Sequence, residues 1–298
     1  MDETGARRGR EALLRRKAPG AVSKLSQEQL RQLAELLAGG AEGHGFHGEA
    51  WTQPRIAQVI QQKLGVKYHV HHIARLLKKI KWSRQKPVRR ATQRDEAAIR
   101  HWQLVEWPKI LNEAKAAGQT VVFMDEAGFR LLPALVRTYA PRGQTPVLKV
   151  PLSYDHLSVM GALSLEGKLL TWIQDHSVKG QDVVRFLKHL LAHIPGNIVL
   201  VWDNLPAHRG QAVKDFLAEG GAKRLTLKAL PSYAPDLNPQ EGIWRLLKYV
   251  ELKHVCCPNL AALTVEVRRA IERLRCRVEA ILGCVRQPGY LGQSSHAA

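Results

Sequence analysis

Leu30, Leu33 and Leu37 recur at three- and four-residue intervals behind Ser26, which forms a capping box with Gln29, and Gly39-Gly40 follows. The pattern predicts a helix opened by Ser26 and stopped by the two glycines. After a Gly- and His-rich loop over 41–50, Ile56, Val59, Ile60 and Leu64 mark a second amphipathic helix behind Thr52, with Pro54 in its first turn and Gly65 as its stop. A third, from about Val70 to Ile80, turns Ile73, Leu76, Leu77 and Ile80 inward. A longer helix runs from about Thr92 to Ala117, carries Trp102 and Trp107, and is expected to kink at Pro108 before Gly118 ends it.

Beyond residue 118 the period changes. Residues 120–125 read as a buried strand, 136–149 as another broken by a turn at Pro141-Arg142-Gly143, and 157–165 with 168–174 as a hairpin about Glu166-Gly167. Helix 180–194, strand 197–203, helix 208–219, strand 223–229 and helix 238–252 follow. Strands alternating with helices demand parallel crossovers and therefore an α/β class. Residues 259–285 read as one final helix with Leu260, Leu263, Val267, Ile271 and Leu274 inward, for packing or a dimer contact. The expected division is a basic tail or linker over 1–24, a helix-turn-helix domain over 25–90, a connecting helix over 91–118, an α/β domain over 119–255, and a C-terminal helix and tail over 256–298.

Charge gives the first of these domains a partner. The 298 residues carry 45 Lys and Arg against 26 Asp and Glu, a formal net charge of +19, and residues 1–120 hold 23 basic and 11 acidic side chains. Such a positive field attracts polyanions. On the third helix His71, His72, Arg75, Lys78 and Lys79 stay outside, and helix, short turn, basic helix is the arrangement whose second helix enters the DNA major groove. The stretch 78–90 adds Lys81, Arg84, Lys86, Arg89 and Arg90 around Trp82 with no acid, as a wing or strap for the phosphate backbone. The bland alternative is a solvated basic surface on an ordinary three-helix domain. No apolar run approaches the roughly 20 residues of a bilayer span, and the first 20 residues lack the apolar stretch of a secretory signal, so the expected location is the cytoplasm. Cys256, Cys257, Cys276 and Cys284 lack the paired spacing of a zinc site and are expected to be reduced and structural.

Against this basic background three acids stand out. Asp125 and Asp203 close hydrophobic strands, and Glu241 opens a helix behind Leu237-Asn238-Pro239-Gln240. Phosphodiester chemistry needs an activated oxygen nucleophile, a stabilised leaving oxygen and neutralised phosphate charge, which two divalent ions supply. Magnesium takes hard oxygen donors and keeps several waters, so few carboxylates suffice. Each acid also has a structural reading: Asp203 as a turn cap, and Glu241 as the third residue of a capping box opened by Asn238. Glu126 is the rival of Asp125, since neighbours on a strand face opposite ways and only one of them can face a site. Asp175, Asp182 and Asp236 lie on turns or a helix start, Asp236 being the best auxiliary among them. His208, five residues after Asp203, either orients a ligand or caps a turn.

At these motifs the chain resembles the bacterial insertion-sequence transposases of the mariner-like superfamily. The matching stretches are Met124-Asp125-Glu126-Ala127-Gly128-Phe129, Tyr139-Ala140-Pro141-Arg142-Gly143-Gln144-Thr145-Pro146, Trp202-Asp203-Asn204 with His208, and Tyr233-Ala234-Pro235-Asp236-Leu237-Asn238-Pro239-Gln240-Glu241. The resemblance spans roughly residues 20–290, and the last stretch is its most specific part. It implies an α/β ribonuclease H-like catalytic domain with a mixed sheet, built in the order three strands, helix, strand, helix, strand, helix, behind a winged helix-turn-helix domain. It further implies that Asp125, Asp203 and Glu241 bind two Mg2+ or Mn2+ ions, with Glu126, Asn204, His208 and Asn238 as auxiliaries. The implied partners are double-stranded DNA, both the element's terminal inverted repeats and target DNA, and a second copy of the chain. Such a protein nicks the ends of its own element and joins the freed 3' hydroxyl to the target. Members of the family usually begin with a further helix-turn-helix, whereas this sequence opens on a basic stretch, and the expectation is of a chain lacking that module. Two other classes fit the same residues: a truncated DNA-binding protein acting on element ends, and a nuclease of the same fold.

Overall fold

A computed structural model of the chain describes residues 23–290 apart from 89, 204, 221 and 222. The chain divides into two compact units, with the boundary between Arg89 and Arg90.

The first unit is three helices around one apolar cluster. Helix α1 (Gln27–Ala38) starts as its capping box requires: the Ser26 hydroxyl accepts from the Gln29 amide and the Gln29 side chain accepts from the Ser26 amide. Helix α2 (Gln53–Leu64) is capped by Thr52 and ends on Gly65 at φ 68°, a left-handed position that costs glycine least. Helix α3 (Val70–Lys79) is capped by His69. Leu33, Leu37, Ile56, Ile60, Ile73 and Leu76 meet in the centre. No regular element forms over 82–88.

The second unit is built on a five-stranded sheet. Helices α4 (Glu96–His101) and α5 (Trp107–Ala116) precede it, joined by a π-helical turn over Trp102–Glu106. Asp95 rather than a residue near Thr92 caps this stretch, and the break in regularity falls just ahead of Pro108. Trp102 and Trp107 are buried in the core of this unit. Strands β1 (Thr120–Arg130), β2 (His156–Ser164), β3 (Leu169–Gln174), β4 (Ile198–Trp202) and β5 (Leu225–Ala229) lie in the order β3-β2-β1-β4-β5. Pairing is antiparallel between β1, β2 and β3 and parallel between β1, β4 and β5. The parallel strands alternate with helices α6 (Gly180–His193), α7 (Gln211–Ala218) and α8 (Pro239–Leu246), the last running on as a π-helical turn over Leu247–Glu251. Helices α9 (Leu260–Arg275) and α10 (Val278–Arg286) complete the fold.

Alternation along β1 sorts its two faces. Val121, Phe123, Ala127 and Phe129 point into a cluster shared with α5, α8, α9 and α10, while Val122 and Met124 pack against α6 and α7. Asp125 therefore belongs to the α8 face and Glu126 to the α6 and α7 face.

Three expectations are corrected. Residues 136–149 form no strand: β1 is already paired on both edges, and Pro141 and Pro146 interrupt the donors a ladder needs. The final helix is two, because Arg277 leaves helical geometry at φ −106°, ψ 62° and redirects the chain. The break lets α10 press on α8, where a Cβ on Gly242 would meet Cys284 Sγ at 2.8 Å. The expected helix over 208–219 is a 3-10 turn over Pro206–Arg209 followed by α7, which starts after Gly210. Among the described residues no helix is long and apolar enough to cross a membrane.

Candidate active site

The site sits where the sheet splays. Pairing of β1 with β4 covers Thr120 to Phe123, whereas pairing with β2 continues to Arg130, so Asp125 lies mid-strand just beyond the last partner on β4. Asp203 is the first residue after β4. Glu241 stands in the first turn of α8, whose cap is the Asn238 side chain accepting from the Gln240 amide at 3.2 Å. Asp125, Asp203 and Glu241 line one cavity of about 380 Å³, together with Leu230, Asn238 and the Pro231 to Pro235 segment.

Each acid is held differently. Asp125 is 8% exposed, and its Oδ2 accepts a 2.9 Å hydrogen bond from Trp244 Nε1, one turn after Glu241 on α8. Burial pushes its carboxyl up to about 7; the Trp244 bond opposes this and the charges of Glu241 and Glu126 add to it. The Glu241 carboxyl is also shifted up by the protein packed about it, with Lys248 drawing it back. Lys248 in turn is shifted down by burial, while Glu241 and Asp125 favour its charge. Seven positions after Glu241, it places a half-buried cation beside the acids, its Nζ 5.2 Å from the centre of the Phe129 ring.

Asp203 is tied to the other face of the sheet. His208, 4% exposed, lies flat on Trp202 with ring centres 4.5 Å apart. Its Nδ1 is 3.0 Å from Asp203 Oδ1 and its Nε2 is 2.7 Å from Glu126 Oε1. Burial disfavours the charge of this imidazole, but the bonds to Asp203 and Glu126 outweigh that and push it up to about 10. Glu126, Asp203 and His208 place three ligand-type atoms within 4.8 Å of one another. Both His208 nitrogens are already turned to carboxylates, so the imidazolium takes the place a cation would fill between them.

Supports from elsewhere fix the loop that leads to Glu241. Arg94, only 10% exposed at its side chain, forks onto both Asp236 oxygens and also donates to the Tyr233 carbonyl at 3.3 Å. Tyr233 has φ 57°, unusual for a residue with a side chain, and lies on the cavity wall. The Tyr290 hydroxyl donates to the Leu237 carbonyl at 2.6 Å, and its ring stacks on Phe123. Gly161, level with Asp125 on β2, leaves room for Gln240 and Trp244, which a Cβ would meet at 2.4 and 2.5 Å.

Residues 120–263 match the family model of the DDE superfamily endonuclease. Residues 47–104 match a winged helix-turn-helix model. Among solved structures, the Mos1 transposase paired-end complex with left transposon end is similar at 15% identity, over 94% of this chain and 85% of that one, with a TM-score of 0.59. The Mos1 mariner paired-end complex with Mg is similar at 16% identity over 94% and 86%, TM-score 0.58, and the Mos1 strand transfer complex at 16% over 93% and 84%, TM-score 0.57. A comparison with curated protein sequences found no match. The fold is thus an α/β ribonuclease H-like DDE domain preceded by a winged helix-turn-helix.

Within the DDE segment, then, the structure brings Asp125, Asp203 and Glu241 to one cavity and sets Glu126 and His208 behind Asp203. Asn204 lies outside the described residues. Asp175 and Asp182 flank His176 at the start of α6 and take no part in the cavity. In the winged segment His71, Arg75, Lys78, Lys79, Lys81, Arg84 and Lys86 are exposed and His72 is half-buried, stacked on Tyr68. Arg90, in the second unit, is exposed and pairs with Glu96 at 3.2 Å, and Arg89 lies outside the described residues. Sequence reasoning missed Trp244, Lys248, Arg94 and Tyr290. Trp244 and Lys248 carried a signal, standing three and seven positions after Glu241 and so near its helical face; Arg94 and Tyr290 act across more than 50 residues and carried none.

Proposed function

We propose that the second unit cuts DNA at the ends of a mobile element and joins the freed 3' strand to target DNA, as a DDE transposase. One observation carries this reading: carboxylates from a strand, a strand end and a helix start, 78 and 38 residues apart in the numbering, line a single cavity in a chain of net charge +19. The match to the DDE superfamily endonuclease supports it, as do similar structures whose names describe transposon ends, strand transfer and Mg.

The donor set suits hard divalent cations. Three carboxylates face one cavity, none of them has a Lys or Arg within ion-pairing distance among the described residues, and burial shifts two of them toward neutrality, with the Lys248 charge only partly drawing Glu241 back. Asp125, Asp203 and Glu241 would hold two Mg2+ or Mn2+ ions, which when bound activate the attacking oxygen and neutralise the phosphate. Trp244 fixes the Asp125 carboxylate by its Oδ2. His208, itself gripped by Glu126, fixes Asp203 by its Oδ1. Lys248, whose charge Glu241 and Asp125 favour, would offer that charge to a phosphate bound near them. The basic face of α3, with the exposed cations of 81–90, would hold element ends. Joining two ends to one target calls for two catalytic units, hence a homodimer, acting on DNA in the bacterial cytoplasm.

The test is metal-dependent nicking of a duplex bearing the terminal inverted repeats. Wild type should nick in Mg2+ or Mn2+ and then join, and Asp203→Ala should lower nicking by at least a hundredfold with DNA affinity kept. Equal nicking by both proteins would refute the site; nicking without joining would leave a nuclease.

A further inference from the structure

A second cavity, of about 680 Å³, runs along the free edge of β3 between α6 and α9. Lys168, Arg268 and Arg275 line it with His189, His193 and Trp172, and Glu272 is its one acid. Arg275 is pinned: its Nε donates to the Leu169 carbonyl at 3.2 Å, and it also reaches Thr171 Oγ1 and Glu272. Lys168 Nζ donates to the His193 carbonyl at 2.6 Å, which neutralises none of its charge. Arg268 is exposed and has no hydrogen-bond or ion-pair partner among the described residues. The field shows in His189, whose protonation is disfavoured first by burial and then by the charges of His193 and Arg275.

We propose that this groove is a second DNA-contacting surface of the catalytic unit, seating the phosphate backbone of duplex DNA beside the acidic cavity. It rests on the DNA-processing reading above. Three fixed or free cations against one acid favour a polyanion, and contacts made to its phosphates would be independent of sequence. Position fits as well. Thr171 is level with Gly161, and Gly161 with Asp125, so the edge lies two strand spacings, about 10 Å, from the catalytic strand. That is well within one turn of a duplex, about 34 Å. An open sheet edge also invites an extended peptide, but here Arg275 already occupies the Leu169 carbonyl and the Thr171 hydroxyl, which blunts strand addition.

The experiment uses the full chain and a duplex lacking the terminal repeats, with affinity read by fluorescence anisotropy over a KCl series. Arg268→Glu and the milder Arg268→Gln should weaken binding, the former by roughly three- to tenfold, and lower the salt slope by about one; adding Lys168→Glu should lower it further. A wild-type melting temperature in Arg268→Gln guards against misfolding. Unchanged affinity and slope in the double variant would overturn the proposal. So would loss of binding to a polyglutamate probe with DNA affinity intact, which would give the groove to an acidic protein. Should wild type fail to nick element ends while these variants still lose DNA affinity, the transposase reading falls and the groove stands.

Discussion

Asp125 is buried where its charge is unwelcome, which suits the metal-ligand role proposed for it. Its carboxyl is pushed up to about 7, above the ordinary carboxylate range, first by burial. A folded state that binds the proton more tightly than the unfolded chain is favoured at low pH. The contribution is full below about 4 and is lost as pH rises toward 7, by at most about 4 kcal/mol. With divalent ions chelated, the melting temperature should therefore fall across that window, and Asp125→Asn should flatten the fall. A wild-type curve that rises with pH through the same window, unaltered by the substitution, would contradict the assignment. Glu126 was the open rival at this scale. Strand alternation settles which face each takes, but only the three-dimensional structure reveals that Glu126 grips His208 and so reaches Asp203 from behind.

At the scale of elements, α8 does two jobs: it presents Glu241 and, through Trp244, seals Asp125. Its seat depends on two glycines. Gly161 admits Gln240 and Trp244 on one side, and Gly242 admits Cys284 of α10 on the other. Gly242→Ala puts a methyl group 2.8 Å from Cys284 Sγ and 2.9 Å from its Cβ, both on a neighbouring helix rather than on a mobile tip. The expected outcome is a loss of about 1–3 kcal/mol in denaturant unfolding, with activity falling further than stability because Glu241 moves with the helix. Cys284→Gly in the same chain, which removes both atoms, should restore much of the lost activity. Helix and strand positions were legible in the sequence because caps and periodicity are local: Ser26 with Gln29, Thr52 and Gly65 act as their spacing requires, whereas Asn238 caps α8 through the Gln240 amide instead of the box expected with Glu241. The failures have a common cause. Residues 136–149 carry strand-forming side chains, but the sheet has no free place beside β1; the break at Arg277 is set by α10 packing on α8, not by a proline or glycine. That the acids share a cavity could be expected from the order of elements, whereas the Arg94 fork on Asp236 and the Tyr290 bond to Leu237 join positions 142 and 53 residues apart and leave no local trace.

For the whole molecule, charge sets the terms of binding. A chain of net charge +19 that meets phosphates at several points should bind any duplex and lose affinity steeply with salt. Arg75→Ala and Lys79→Ala, both exposed on α3, should each lower the slope of log affinity against log salt by about one while leaving nicking at saturating DNA unchanged. Unaltered slopes in both would remove α3 from the DNA interface. The central claim is narrower: Asp125, Asp203 and Glu241, not Glu126, Asp203 and His208, hold the divalent cation. Mn2+ titration of the DNA-bound protein followed by electron paramagnetic resonance separates the two, since they share only Asp203. Asp125→Asn and Glu241→Gln should each abolish stoichiometric Mn2+ binding, with His208→Gln retaining it at reduced affinity; retention in the first two and loss in the third would contradict the account.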